Sequence, residues 1–231
     1  MNRRTASFVA SASVCTVVLV AVPAACAALG VQNHHTVDYD VNQPVSTVVI
    51  NDTAGNVEVT GGAGALNVSE QQSYHDTAPT TSHSVVDGTL TLTFTCSTDD
   101  CGVDYDVQVP DGTAVRISTS AGDVTLSVLS GAVQAATSAG KITGSGLSAR
   151  QARFTDSAGD VLIGFTAPPA SLYADSDAGD VTILLPGSAS YRVAASSQAG
   201  AVHVTVPQSA GSGNAVTAQS EAGDVAVRTQ M

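Results

Sequence analysis

The sequence predicts an all-β chain: a single-domain β-solenoid, β-helix-like, of coils about twenty residues long behind an N-terminal signal segment. Three observations carry that expectation. An Ala-Gly phrase recurs at a period near twenty. Apolar and polar residues alternate around each copy. Large aromatics are scarce, and Trp is absent from the 231 residues, as suits a narrow core. An apolar share of 43% argues against disorder.

The start of the chain reads as an export signal. Asn2-Arg3-Arg4 is basic, no Asp, Glu, Lys or Arg follows from Thr5 to Val37, and the apolar run 14–22 ends at Pro23. Three fates fit residues 1–27. Ala25-Cys26-Ala27 carries small residues for a cut after Ala27. Ala24-Ala25-Cys26 resembles a bacterial lipobox and would make Cys26 the lipidated first residue, although Pro23 stands where that pattern usually has Leu. An uncut segment of roughly 20 apolar residues would serve as a membrane anchor. All three place the remainder outside the cytoplasm, either membrane-anchored at the cell surface or secreted. Residues 28–40 are expected as a linker and residues 41–231 as the solenoid.

Residues 41–110 are expected to form irregular coils. Residues 45–50 and 56–60 read as strands around a degenerate turn at Gly55, and residues 71–84 as a polar loop. Residues 90–95 lead into Cys96-Ser-Thr-Asp-Asp-Cys101, and residues 105–110 lead out of it. An oxidising compartment favours a Cys96–Cys101 disulfide. Its loop is short, so it should pin a local turn more than the whole fold. Two thiolates without a nearby His do not complete a zinc site. Asp99, Asp100, Asp104 and Asp106 around it read as a solvated acidic loop, or as a site for a cation or basic partner. The start must also cap the solenoid, because an open coil end is an unpaired strand edge.

Residues 111–231 carry the regular repeats. The turn glycines are Gly55, Gly122, Gly140, Gly159, Gly179, Gly200 and Gly223, and from Gly122 they step by 18, 19, 20, 21 and 23. The earlier interval of 67 reads as three worn copies. Ala precedes every turn glycine and is expected to fit a crowded corner. Apolar residues seven and five places before the glycine, and two and four after it, should share the inner face. Stacking such coils buries a core that no single coil can bury. Glycine is expected at the corner for its positive φ.

Asp123, Asp160, Asp180 and Asp224 follow four of these glycines, with Lys141 and Ala201 in two others. Stacked carboxylates repel, and Ca²⁺ could bridge them. Asp also suits turns by accepting backbone N–H bonds, and Lys141 would relieve the repulsion between its neighbours. The structural reading is preferred: no cofactor and no metal site is expected.

Phrases such as Thr119-Ser-Ala-Gly-Asp-Val-Thr-Leu126 resemble the DUF4097 family of bacterial envelope proteins, over about residues 40–230. The resemblance implies a toastrack-type β-solenoid at the cell envelope. Its adhesin name is inferred from architecture, and it brings no catalytic motif. An acidic balance of 20 to 8 argues against nucleic acid as a partner. The expected role is a non-enzymatic, structural or adhesin-like module contacting a protein or glycan. The alternative is an extracytoplasmic sensor domain in envelope-stress signalling. A carbohydrate-active β-helix is disfavoured, because no carboxylate pair sits with aromatic sugar platforms.

Overall fold

A computed structural model describes residues 32–98 and 100–230. Cys26 and the 1–27 leader lie outside the described residues. The described chain is strands and turns only. In order these are β1 (Asn33–Val41), β2 (Thr47–Asn51), β3 (Val57–Ala63), β4 (Leu66–Tyr74), β5 (Thr80–Val86), β6 (Thr89–Thr95) and β7 (Cys101–Pro110). The repeats supply β8 (Ala114–Thr119), β9 (Val124–Ser127), β10 (Val133–Thr137), β11 (Ile142–Leu147), β12 (Gln151–Ala158) and β13 (Val161–Phe165). Then follow β14 (Ser171–Ala178), β15 (Val181–Leu185), β16 (Arg192–Ala199), β17 (Val202–Val204), β18 (Ala215–Ala222) and β19 (Val225–Thr229).

Each coil is one strand in each of two sheets, joined at a corner that carries the Gly phrase in every coil but β6–β7. One sheet has ten strands, ordered β1-β4-β7-β3-β9-β11-β13-β15-β19-β17. The other has nine, ordered β16-β18-β14-β12-β10-β8-β2-β6-β5. Pairing between regular coils is parallel, and equivalent repeat positions meet: Val133 pairs with both Val115 and Ala152. Alternation at period two then puts one apolar set inside. Packing there alternates large with small. Phe154 is fully buried, with Ala135 and Ala174 beside it on the flanking strands.

Several expectations need correction. Residues 33–40 are not linker: they lie in β1, which pairs antiparallel with β4. Residues 71–84 are not a loop either, since β4 and β5 occupy most of them. The polar residues there alternate with partly buried ones, and period-two patterning outweighs their loop-like composition.

Coil order is not sequence order at either end. Between Gly55 and Gly122 there are not three worn copies in line. The coil β6–β7 stacks on the far side of β2–β3, so β2 pairs directly with β8 and β3 with β9. At the other end the last repeat turns back. β18–β19 slots between β14–β15 and β16–β17, leaving the penultimate repeat outermost. Antiparallel strands cap the first end, β1 and β4 on one sheet and β5 on the other. Across that cap the Tyr39 ring stacks on His83, with centroids 4.4 Å apart, and its hydroxyl donates to Glu70 at 2.7 Å. The opposite end coil is more open, with Val202 42% exposed.

Candidate functional site

The repeated corner explains most of the phrase. Ala before Gly points outward and is exposed in the regular coils, contrary to the crowded-corner expectation. The chain turns between the two sheets here, which resets the alternation. The inward place is three residues before the glycine, and it is polar in every copy. What the Ala supplies is its carbonyl: Gly122 N–H donates to Ala139 O at 2.9 Å, and Gly159 N–H to Ala178 O at 3.0 Å.

The glycines form a continuous stack, in spatial order Gly55, Gly122, Gly140, Gly159, Gly179, Gly223 and Gly200. A Cβ on any of the last six would overlap the carbonyl oxygen of the glycine before it; one on Gly55 would overlap the Val103 carbonyl. Gly159 has no positive φ and is still hemmed in by Gly140. Close approach of coils, more than the dihedral angle, makes glycine necessary.

One residue further, the carboxylates form a ladder along the edge. The Asp123 side chain accepts from Lys141 N–H at 2.8 Å, and that of Asp160 from Asp180 N–H at 3.0 Å. Asp180 accepts from Asp224 N–H at 2.7 Å, and Asp224 from Ala201 N–H at 2.8 Å. Asn56 and Asp104 extend it past the first repeat. Each rung ties a side chain to the next coil's backbone, where a turn-local bond was expected. Lys141 does sit between Asp123 and Asp160, as the spacing suggested. Among the described residues no group of three or more His, Cys, Asp or Glu converges on one point. Adding EDTA is therefore expected to move the melting temperature by no more than about two degrees. A large drop, restored by Ca²⁺, would contradict the structural role.

Beneath the glycine stack runs a second polar ladder that sequence reasoning missed: Asp52, Thr119, Thr137, Asp156, Ser176, Ser220 and Ser197. Ser176, Ser220 and Ser197 hydroxyls donate to the carbonyls of Gly159, Gly179 and Gly223 at 2.9, 2.9 and 2.7 Å. Asp52 and Asp156 stand in this hydroxyl row, 5% and 4% exposed. In each, Oδ1 accepts a nearby backbone N–H while Oδ2 is buried without a partner. Burial pushes the Asp52 carboxyl up to about 7, and Asp104 adds to that while the Ala54 and Thr53 N–H groups partly oppose it. Asp156 is raised by the same cause. The common spacing, three before each Gly, was the available signal.

Cys96 and Cys101 are joined, Cα atoms 5.9 Å apart. The bridge closes the corner between β6 and β7, where the other coils carry the Gly phrase. This corner is longer, and the disulfide fastens its base.

A groove of another kind lies on the outer face of the nine-stranded sheet, across β8, β10, β12 and β14. Its volume is about 460 Å³. Register aligns Arg116, Gln134, Arg153 and Tyr173 in one outward row, each six places before its glycine. Small Ala114 and Ala132 leave room beside them. The Arg153 guanidinium lies over the Tyr173 ring, 4.1 Å from its centroid, and Tyr173 hydroxyl donates to Gln219 at 3.2 Å. That chain of contacts holds the Arg153 charge in place. The turn phrase itself gives no sign of Arg153. The shared place in the repeat would have aligned it with Arg116.

Comparison with known proteins adds to this geometry. Residues 105–231 match the family model Toastrack DUF4097. The chain is similar in structure to a Clostridium sporogenes protein named for an inferred role in cell adhesion. Identity is 13%, covering 86% of this chain and 100% of that one, with a TM-score of 0.53. A Bacteroides fragilis protein with an inferred adhesin name gives 15% identity, 86% and 97% coverage, and a TM-score of 0.46. The first likeness shows the fold. No curated protein sequence matches the chain.

Proposed function

The chain belongs to the Toastrack DUF4097 family, and from that membership we propose that it is a non-enzymatic binding module, exported to the cell envelope, whose contact surface is the outer face of the nine-stranded sheet. The groove of Arg116, Gln134, Arg153 and Tyr173 carries this reading. There, long polar side chains replace small ones in a single row. Elsewhere the turn carboxylates, hydroxyls and glycines are spent holding coils together. The adhesion names of the similar solved structures agree with a module that presents a surface. The basic start, apolar run and disulfide support export. Of the three N-terminal fates, lipidation at Cys26 would keep the solenoid at the membrane surface.

A groove-filling variant tests the reading. Ala132→Trp adds a ring at an exposed groove position and leaves the core untouched. It should cut sedimentation of the protein with isolated cell envelopes at least tenfold. Thr143→Trp on the other sheet should leave it unchanged. Wild-type sedimentation of Ala132→Trp would overturn the assignment of this face.

A further inference from the structure

We infer that the groove takes an acidic polysaccharide of low charge density, in which carboxylated sugars alternate with neutral ones, laid across the strands. This rests on the outer face of the nine-stranded sheet being the contact surface. The argument starts from charge. Only six lysines and arginines lie past Arg4, against twenty carboxylates. Two of the six, Arg116 and Arg153, sit in one row of one groove. A general polyanion would be repelled by the rest of the molecule, so the ligand must meet its counter-charges locally.

Spacing narrows the class. Arg116 is on β8 and Arg153 on β12, with Gln134 of β10 between them. Two strand intervals put the cationic rungs about 9.6 Å apart. A polymer with an anion on every unit would set one against neutral Gln134, without a counter-charge. A chain that alternates acidic and neutral sugars would match guanidinium, amide, guanidinium. The planar fork of Arg suits a carboxylate by paired N–H bonds. Gln134, Gln151 and Ser171 offer donors and acceptors for sugar hydroxyls, and all three line the groove. Tyr173 is the row's aromatic member and keeps Arg153 from sweeping through solvent. Asp175 lies two places further along β14, outside the groove lining.

The test uses the full-length chain and hyaluronan, whose uronate alternates with a neutral amino sugar. Dextran and inorganic polyphosphate are the comparison probes. Hyaluronan should bind, dextran should not, and polyphosphate should bind more weakly than hyaluronan. Arg116→Ala and Arg153→Ala should each weaken hyaluronan binding about tenfold. Raising salt from 0.05 M to 1 M should do so by a similar factor or more. Equal binding of dextran, tighter binding of polyphosphate, or hyaluronan binding unchanged in the double alanine variant would overturn the inference. The two levels separate cleanly. Absent hyaluronan binding, with envelope capture still blocked by Ala132→Trp, sinks the ligand class and leaves the face. Envelope capture indifferent to Ala132→Trp sinks both.

Discussion

Gly140→Ala is expected to destabilise the solenoid by about 4 kcal/mol, at the severe end of single substitutions. The added Cβ would overlap the Gly122 carbonyl oxygen, 2.6 Å from its carbon and 3.2 Å from the Asp123 nitrogen. All three are backbone atoms, so no side chain can swing aside. Relief requires spreading two coils that are paired on both sheets, through β10 with β8 and β11 with β9. The bond from Gly140 N–H to Ala158 O, on the other side of the stack, would be strained as well. Gly64→Ala is the control. A Cβ there meets nothing within 4 Å, so its effect should fall within about 0.5 kcal/mol. Urea unfolding of the two variants decides the matter. A Gly140→Ala midpoint equal to wild type would show that coils are not stacked through their glycines.

The second large effect is on pH. Both Asp52 and Asp156 have folded-state pKa values raised above the ordinary carboxylate value, chiefly by burial. The folded state therefore holds these protons more tightly than the unfolded chain does. The Asp52 contribution is full below the unfolded pKa near 4, declines as pH rises, and is gone once pH passes its folded value of about 7; that of Asp156 declines in the same direction. Stability should fall by about 3 kcal/mol between pH 4 and pH 8 from Asp52, with a further loss from Asp156. Repulsion among the other carboxylates has the same sign, so the variant is what isolates the effect. Asp52→Asn keeps an acceptor for Ala54 N–H. Asp156→Thr restores the hydroxyl that Thr137 and Ser176 carry in the neighbouring coils. The double variant should be more stable than wild type at pH 8 and lose most of the slope. A slope as steep as wild type would mean that neither carboxyl is buried as described.

Much of this architecture was legible because a solenoid repeats its instructions. The glycine period gave the coils, and alternation gave the inner rows that hold Val115, Val133 and Leu172. What the period could not convey was which coils are neighbours. The last repeat carries the same phrase as the others, and nothing local marks that β18–β19 fits between β14–β15 and β16–β17. The first end was harder for a different reason. Residues 33–40 and 71–84 are polar because they form capping strands with one face in water. Composition there mimics linker and loop. The groove leaves no mark on the turn phrase. Arg116 and Arg153 share a place six residues before their glycines, but that place holds Val49, Gln134, Tyr173, Ala194 and Thr217 in the other copies, and so shows no consensus.

The most direct test of the account is hydrogen exchange of the full-length protein, free and bound to isolated envelope material. Binding is expected to add protection in β8, β10, β12 and β14, around Arg116, Gln134, Arg153 and Tyr173, with the ten-stranded sheet unchanged. Protection confined to the ten-stranded sheet, or to the open end coil β16–β17, would contradict it.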